Sequence, residues 1–145
     1  MSWFYWALLS ALFAGLTAVL AKVGVKDVDA NVATAIRTVV ILVFAWAIAL
    51  AGGREALLTV PRKAWLFLVL SGLATGASWL CYFRALQLGE ASKVAPVDKL
   101  SVVVAMALAA LFLHEHLTWR HWLGGALIVA GAIVIALERV SDVPP

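Results

Sequence analysis

The chain has 145 residues, of which 65% are hydrophobic and 13% are charged, and its mean hydropathy is +1.03. A soluble domain of this size cannot keep so much apolar surface away from water, so the composition predicts an integral membrane protein. The net charge is +3, but the basic residues are scattered and form no basic run, so a nucleic-acid-binding protein is excluded. The single cysteine, Cys81, excludes a disulfide framework.

Five apolar runs follow one another along the chain, separated by charges and turn residues. Each is about 20 residues long, which matches the ~30 Å hydrocarbon thickness of a bilayer at about 1.5 Å per helical residue. We therefore predict an all-α fold, a bundle of five transmembrane helices, in a single domain over residues 1–140 with a short tail at 141–145. The predicted helices cover about residues 3–25, 31–51, 64–88, 92–113 and 119–137.

The first predicted helix opens on Trp3-Phe4-Tyr5-Trp6 with no lysine or arginine before it. Its apolar run is longer than the core of a signal peptide, so we predict a retained span whose aromatic residues lie at the membrane surface. The loops between the runs are short, and neighbouring spans are therefore expected to run antiparallel.

Charged side chains within the spans concentrate near the turn between the first and second helices and the turn between the third and fourth. In an antiparallel bundle these two turns lie on the same side of the membrane, so the charges near them fall in one leaflet. Ionisable groups inside a span are costly and usually functional. The predicted charged layer contains Lys22, Arg37, Arg84, Asp98 and Lys99.

We predict that this charged layer lines a solute site. Four cations and one carboxylate leave an excess of positive charge, which favours an anionic or zwitterionic solute with a carboxylate or phosphate. Ser101 follows Asp98 along the same helix and joins the predicted solute-binding residues. A buried carboxyl group can exchange protons as solute binds, so Asp98 is also the candidate for proton coupling. For Lys22 and Lys99 an alternative stays open, in which the long side chains reach the membrane surface.

The histidines and serines predict neither catalysis nor a metal site. His114, His116 and His121 lie in or beside one turn at the membrane surface, and their spacing matches no zinc signature. No histidine lies within helical reach of Ser101, and the chain has no paired carboxylates of a hydrolase and no phosphate-binding loop. We therefore predict no enzyme activity, no metal and no cofactor.

Small residues recur at helical spacing and would let helices approach closely in lipid. Packing within the chain's own bundle is favoured for any one stripe, and self-association stays open as the alternative. The stripes are Ala11, Gly15 and Ala18, then Gly72 and Gly76, then Ala105 and Ala109, and then Gly124 and Gly131.

Several short motifs carry a resemblance to a known family. They are Ala85-Leu86 with Gly89, the segment from Ala91 to Pro96, the segment from Leu111 to Thr118, and Gly124 to Gly131. Together they resemble the EamA-type repeat of the drug/metabolite transporter superfamily over nearly the whole chain, most strongly from Tyr82 to Ala136. One departure is Val102, where many two-repeat relatives have a proline in the middle of the helix, whereas this chain has Pro96.

The resemblance implies a transporter built from inverted units. Larger members carry two such five-helix repeats in tandem and in opposite orientation, with the solute in a central cavity between them. A single repeat needs an inverted partner in a second chain. The implied function is a small secondary transporter of the prokaryotic inner (plasma) membrane, an exporter of a small metabolite or drug-like solute that is coupled to protons. The competing interpretation is a non-transporting subunit that serves membrane assembly or interacts with lipid.

The distribution of basic residues indicates whether the chain is its own inverted partner. Seven lysines and arginines lie on the side of the first turn and four on the opposite side. Without the four cations of the charged layer the count becomes three against four, and the preference for one orientation disappears. We therefore predict dual topology and an antiparallel homodimer in the lipid bilayer, with an inverted paralogous chain as the alternative partner. The two sets are Lys22, Lys26, Arg37, Arg84, Lys93, Lys99 and Arg139, against Arg54, Arg62, Lys63 and Arg120.

Overall fold

The computed structural model describes residues 2–53, 55 and 59–138, and within these residues the chain is helical and has no strand. The predicted all-α fold is confirmed, and four of the five predicted helices agree with the structure to within two residues at each end. The described helices are α1 (Trp3–Gly24), α2 (Ala30–Ala51), α3 (Arg62–Leu88), α4 (Ala91–Asp98), α5 (Leu100–Phe112) and α6 (Trp119–Leu137).

Among the described residues, five helical segments are long and apolar enough to cross a membrane. They are α1, α2, α3, α6, and α4 together with α5 as Ala91–Phe112. Large apolar side chains are exposed along them, as at Leu12 and Leu73, and such a surface is stable only where lipid or protein covers it. The chain is therefore an integral, multi-pass membrane protein. Arg54, Arg139 and the predicted tail at 141–145 lie outside the described residues.

The fourth predicted span differs from the structure, because it is broken at Lys99. The helix begins at Ala91, so Pro96 lies in its second turn, where a residue without an N–H cannot donate to the carbonyl group of Ser92. The backbone tightens beyond it, with hydrogen bonds from Lys99 N–H to the Pro96 carbonyl (3.1 Å) and from Val102 N–H to the Lys99 carbonyl (3.0 Å).

The described residues group into two compact units. The central unit is residues 20–88, where α2 packs against α3, and the terminal unit is residues 2–19 with 89–138, where α4 and α5 both pack against α6. The core of the central unit lies at the turn after α1 and the end of α3, where Val25 and Leu86 have almost no exposed surface. In the terminal unit Ala132 of α6 is buried.

Glycines of α6 differ in what they face. Gly125 faces α5: a Cβ atom built on it would make ordinary van der Waals contacts with Met106 Cε at 3.7 Å and Val103 Cγ2 at 3.8 Å. A Cβ atom built on Gly124 would meet nothing within 4 Å outside its own stretch of helix. The glycines of the predicted small-residue stripes are open in the same way. They are Gly15, Gly72, Gly76, Gly124 and Gly131.

Candidate functional site

Lys22 binds the end of α3. Its Nζ atom donates a hydrogen bond of 2.6 Å to the carbonyl oxygen of Leu86. Leu86 is one of the last four residues of α3, whose carbonyl groups have no helical donor and carry partial negative charge. The amine of α1 therefore caps α3, a contact that was not predicted from the sequence.

Arg37 of α2 lies against aromatic rings of α3. Its guanidinium carbon is 4.6 Å from the centroid of a Trp79 ring and 5.5 Å from that of Phe83. The four-residue spacing puts both rings on one face of α3. A guanidinium group at these distances is attracted by the negative face of an aromatic ring, and more strongly where water is excluded. The cation thus joins α2 to α3.

Arg84 belongs to a chain of hydrogen bonds that Gln87 continues. The Arg84 Nη1 atom donates to Gln87 Oε1 at 3.0 Å, and Gln87 Nε2 donates to the carbonyl oxygen of Val28 at 2.7 Å. Val28 lies in the turn between α1 and α2, so this chain ties the turn to α3. Gln87 was not predicted, although its three-residue spacing from Arg84 is the signal that could have found it.

Other polar groups at the start of α2 bond the helix's own backbone. The carboxylate of Asp29 accepts hydrogen bonds from two N–H groups of the first turn, at 2.9 and 3.2 Å, and so caps the helix. The hydroxyl groups of Thr34 and Thr38 each donate, at 2.8 Å, to a carbonyl oxygen four residues earlier. These hydrogen bonds are internal to α2 and explain the polar residues there without a ligand.

The terminal unit holds the remaining predicted site residues. Asp98 and Lys99 lie at the break between α4 and α5, and Lys99 Nζ is 3.4 Å from Asp98 Oδ2. Their side chains are 35% and 55% exposed, respectively. Ser101 is exposed and lies in the first turn of α5, directly after the break. An ion pair, a hydroxyl group and an irregular backbone therefore meet in one place on an otherwise apolar span.

A cavity of about 440 Å³ lies beside this pair, between α4 and α6. Its walls include Pro96, Lys99, Leu127 and Gly131.

Lys93, at the start of α4, binds the end of α6. Its Nζ atom donates a hydrogen bond of 3.0 Å to the carbonyl oxygen of Glu138, so a second lysine caps the carboxyl-terminal end of a helix.

The histidines lie in and beside the turn between α5 and α6. His121 Nδ1 accepts a hydrogen bond from the backbone N–H of Thr118 at 3.0 Å, and Thr118 is the N-cap residue of α6. His114 has a φ of 53°, in the left-handed region that tight turns use. Among the described residues, no three His, Cys, Asp or Glu side chains form a group that could hold a metal ion.

Comparison with known proteins identifies the family. The sequence pattern of the EamA-like transporter family matches residues 1–137. The chain belongs to the EamA-like transporter family. The resemblance stated from the sequence is confirmed, and the protein is a membrane transporter.

Relatives of this EamA-like protein include one that matches along nearly its full length. An "uncharacterized transporter in cobO 3'region" of Sinorhizobium sp is 57% identical over 137 residues, which are 94% of this chain and 97% of that protein. A "probable 4-amino-4-deoxy-L-arabinose-phosphoundecaprenol flippase subunit ArnE" of Pseudomonas fluorescens is 32% identical over 76 residues, which are 52% of this chain and 64% of that protein. No solved structure matches the chain.

We predict that Lys22→Met lowers the stability of the protein in a neutral detergent. The substitution leaves the Leu86 carbonyl without this donor, at a cost of about 1–3 kcal/mol. Thermal unfolding followed by tryptophan fluorescence measures the loss. Lys26→Met, four residues further along and exposed, is the matched control and should melt with the wild type. If Lys22→Met melts with the wild type as well, the hydrogen bond to Leu86 does not stabilise the fold.

Proposed function

We propose that the protein is a secondary transporter that exports a small solute across the inner membrane of a prokaryotic cell in exchange for protons. The observation that carries this proposal is the Asp98–Lys99 ion pair at the break between α4 and α5. The pair lies about 10 Å along a span that begins at Ala91. Charged groups at such a depth are costly, and in membrane proteins they often mark the pathway of a solute or of protons.

The chemistry of the pair defines the solute. The amine of Lys99 suits a carboxylate or phosphate, and the carboxylate of Asp98 suits an ammonium group, so a zwitterionic solute that carries both kinds of charge is complementary to the pair. The cavity of about 440 Å³ beside Lys99 offers apolar walls for the rest of the molecule.

Proton coupling follows if solute and proton compete for Asp98. A protonated Asp98 has lost the charge that attracts a cationic group, whereas an ionised Asp98 holds that group and not the proton. A carboxylate that binds one or the other, but never both, links their movement in opposite directions across the membrane. Asp98 is therefore the residue on which exchange depends, and Lys99 and Ser101 orient the solute beside it.

The cations of the central unit have a different role in this proposal. Lys22 and Arg37 hold α3 against α1 and α2, through the carbonyl group of Leu86 and the ring of Trp79. Arg84 is exposed, and its bond to Gln87 uses one of the five N–H donors of a guanidinium group. Of the three cations predicted in this unit, Arg84 is the one for which solute binding stays a proposal, made for the central unit by itself.

We further propose that the transporter is an antiparallel homodimer. Five spans are an odd number, and transporters of this type are built from inverted units. Gly72 and Gly76 of α3, and Gly124 and Gly131 of α6, leave open surface in their own units on which a helix of a second copy can pack closely. The inverted copy would complete the solute pathway by rocking against the first.

The similarity to ArnE favours a second candidate function, which is a subunit of a flippase for a lipid-linked amino sugar. An amino group and a phosphate are the two charges that Asp98 and Lys99 complement. In this case the inverted partner is a paralogous chain.

We predict that Asp98→Asn abolishes solute-driven proton flux. Proteoliposomes that contain a pH-sensitive dye are exposed to a panel of amino acids, carboxylates and amines, and a transported solute changes the internal pH. Asp98→Asn should lower the rate by about 100-fold or more, because the amide cannot carry the proton. Glu90→Gln, which removes a carboxylate from the surface end of α4, is the matched control and should transport at the wild-type rate. Wild-type flux in Asp98→Asn would contradict the assignment.

We predict that reporters fused to the carboxyl terminus are active on both sides of the membrane. Alkaline phosphatase is active outside the cell and green fluorescent protein inside it, and a chain of dual topology gives comparable signals from both fusions. Val28→Lys adds a positive charge to the first turn and should shift the population toward one orientation. A signal from one side alone in the wild type would exclude the antiparallel homodimer and favour an inverted paralogous partner.

A further inference from the structure

A second cavity, of about 550 Å³, opens at the end of the central unit. Residues at the end of α1, in the turn that follows it and at the end of α3 form its walls. Two of the lining residues are lysines and none is acidic. They are Lys22, Val23, Val25, Lys26, Leu86 and Gln87. None of them belongs to the Asp98–Lys99 site, so the cavity raises a separate question of what it binds.

The polar walls of the cavity are held in place by the fold. Lys22 lies in the last turn of α1 and Lys26 in the turn beyond it, and both line the cavity. The amine of Lys22 is fixed by its bond to the Leu86 carbonyl group, and Gln87 is fixed between Arg84 and the backbone of the turn. A positively charged wall that is already ordered loses little entropy when an anion binds.

The cavity lies at the level of the membrane surface. Two spans end there, α1 at Gly24 and α3 at Leu88, and the turn beyond α1 carries three charged residues. Phosphate groups of lipids lie at this level, just outside the hydrocarbon, and basic pockets between transmembrane helices bind anionic headgroups. The apolar side of the cavity, with the exposed Val23, continues toward the acyl region.

We propose that this cavity binds the phosphate of an anionic phospholipid, such as phosphatidylglycerol, from the surrounding leaflet. Lys22 and Lys26 bind the phosphate oxygens, and Val23 contacts the start of an acyl chain. The nearby carboxylates do not line the cavity: Asp29 caps α2, and Asp27 lies on the turn outside the lining residues. The bound lipid would join the end of α1 to the end of α3 and add to the contact that Lys22 makes.

Lipid binding to the purified protein tests this proposal. Native mass spectrometry during titration with phosphatidylglycerol or phosphatidylcholine gives the ratio of the two affinities. We expect the wild type to prefer phosphatidylglycerol, and Lys26→Gln to lower the preference about fivefold, as expected for one lysine near a membrane surface. Lys26→Arg should retain it. Lys63→Gln, at the opposite end of α3, is the matched control and should leave the ratio unchanged.

Two outcomes would overturn the proposal. One is an unchanged ratio in Lys26→Gln, or an equal loss in Lys63→Gln, because either result removes the cavity as the source of selectivity. The other is displacement of phosphatidylglycerol by soluble glycerol 1-phosphate at equal affinity, since that result would make the cavity a site for free phosphate compounds. An unaltered melting temperature of Lys26→Gln in neutral detergent shows that the variant is folded.

Discussion

The hydrocarbon core of a membrane offers no hydrogen-bond partners, so each polar group on these spans must find its partner within the protein or at the membrane surface. In the central unit this constraint explains why Lys22 of α1 donates a hydrogen bond to the carbonyl group of Leu86. A side chain of one helix thus caps the carboxyl-terminal end of another. The guanidinium group of Arg37 in α2 likewise finds its partner on another helix, in the aromatic rings of α3. Charges that a sequence places at membrane depth therefore hold three helices together.

Buried apolar side chains also stabilise the junction where the end of α1, the turn after it and the end of α3 meet. Val25 and Leu86, which have almost no exposed surface, lie where α1, its turn and α3 meet. Further along the spans the apolar side chains are exposed, as expected for helices whose remaining surface is covered by lipid or by a second chain. Within the central unit, this junction is therefore stabilised mainly by contacts within the chain, whereas the rest of the spans depends on lipid or on a second chain.

The all-α fold and the approximate ends of its helices were predictable from the sequence, because a bilayer fixes both the length and the apolar character of a transmembrane helix. The α6 bounds match the prediction, since Thr118 gives a clear start. The break at Lys99 was not predictable, because the effect of Pro96 depends on its distance from a helix start that hydropathy does not locate to one turn. The partner of Lys22 was not predictable either, because a bond between residues 64 positions apart depends on how helices pack.

The charged residues in the spans therefore fall into two groups, according to what each side chain contacts. Lys22 and Arg37 contact other helices, and we assign them to the fold, whereas Asp98 and Lys99 pair with each other at a helix break and are assigned to the solute. Hydrogen exchange at residues 80–88 in Lys22→Met tests this division most directly. We expect amides at the end of α3 to exchange about tenfold faster than in the wild type, because the last turn opens once its cap is lost, while those of α6 are unchanged. Wild-type exchange at residues 80–88, together with loss of transport, would contradict the division and return Lys22 to the solute site.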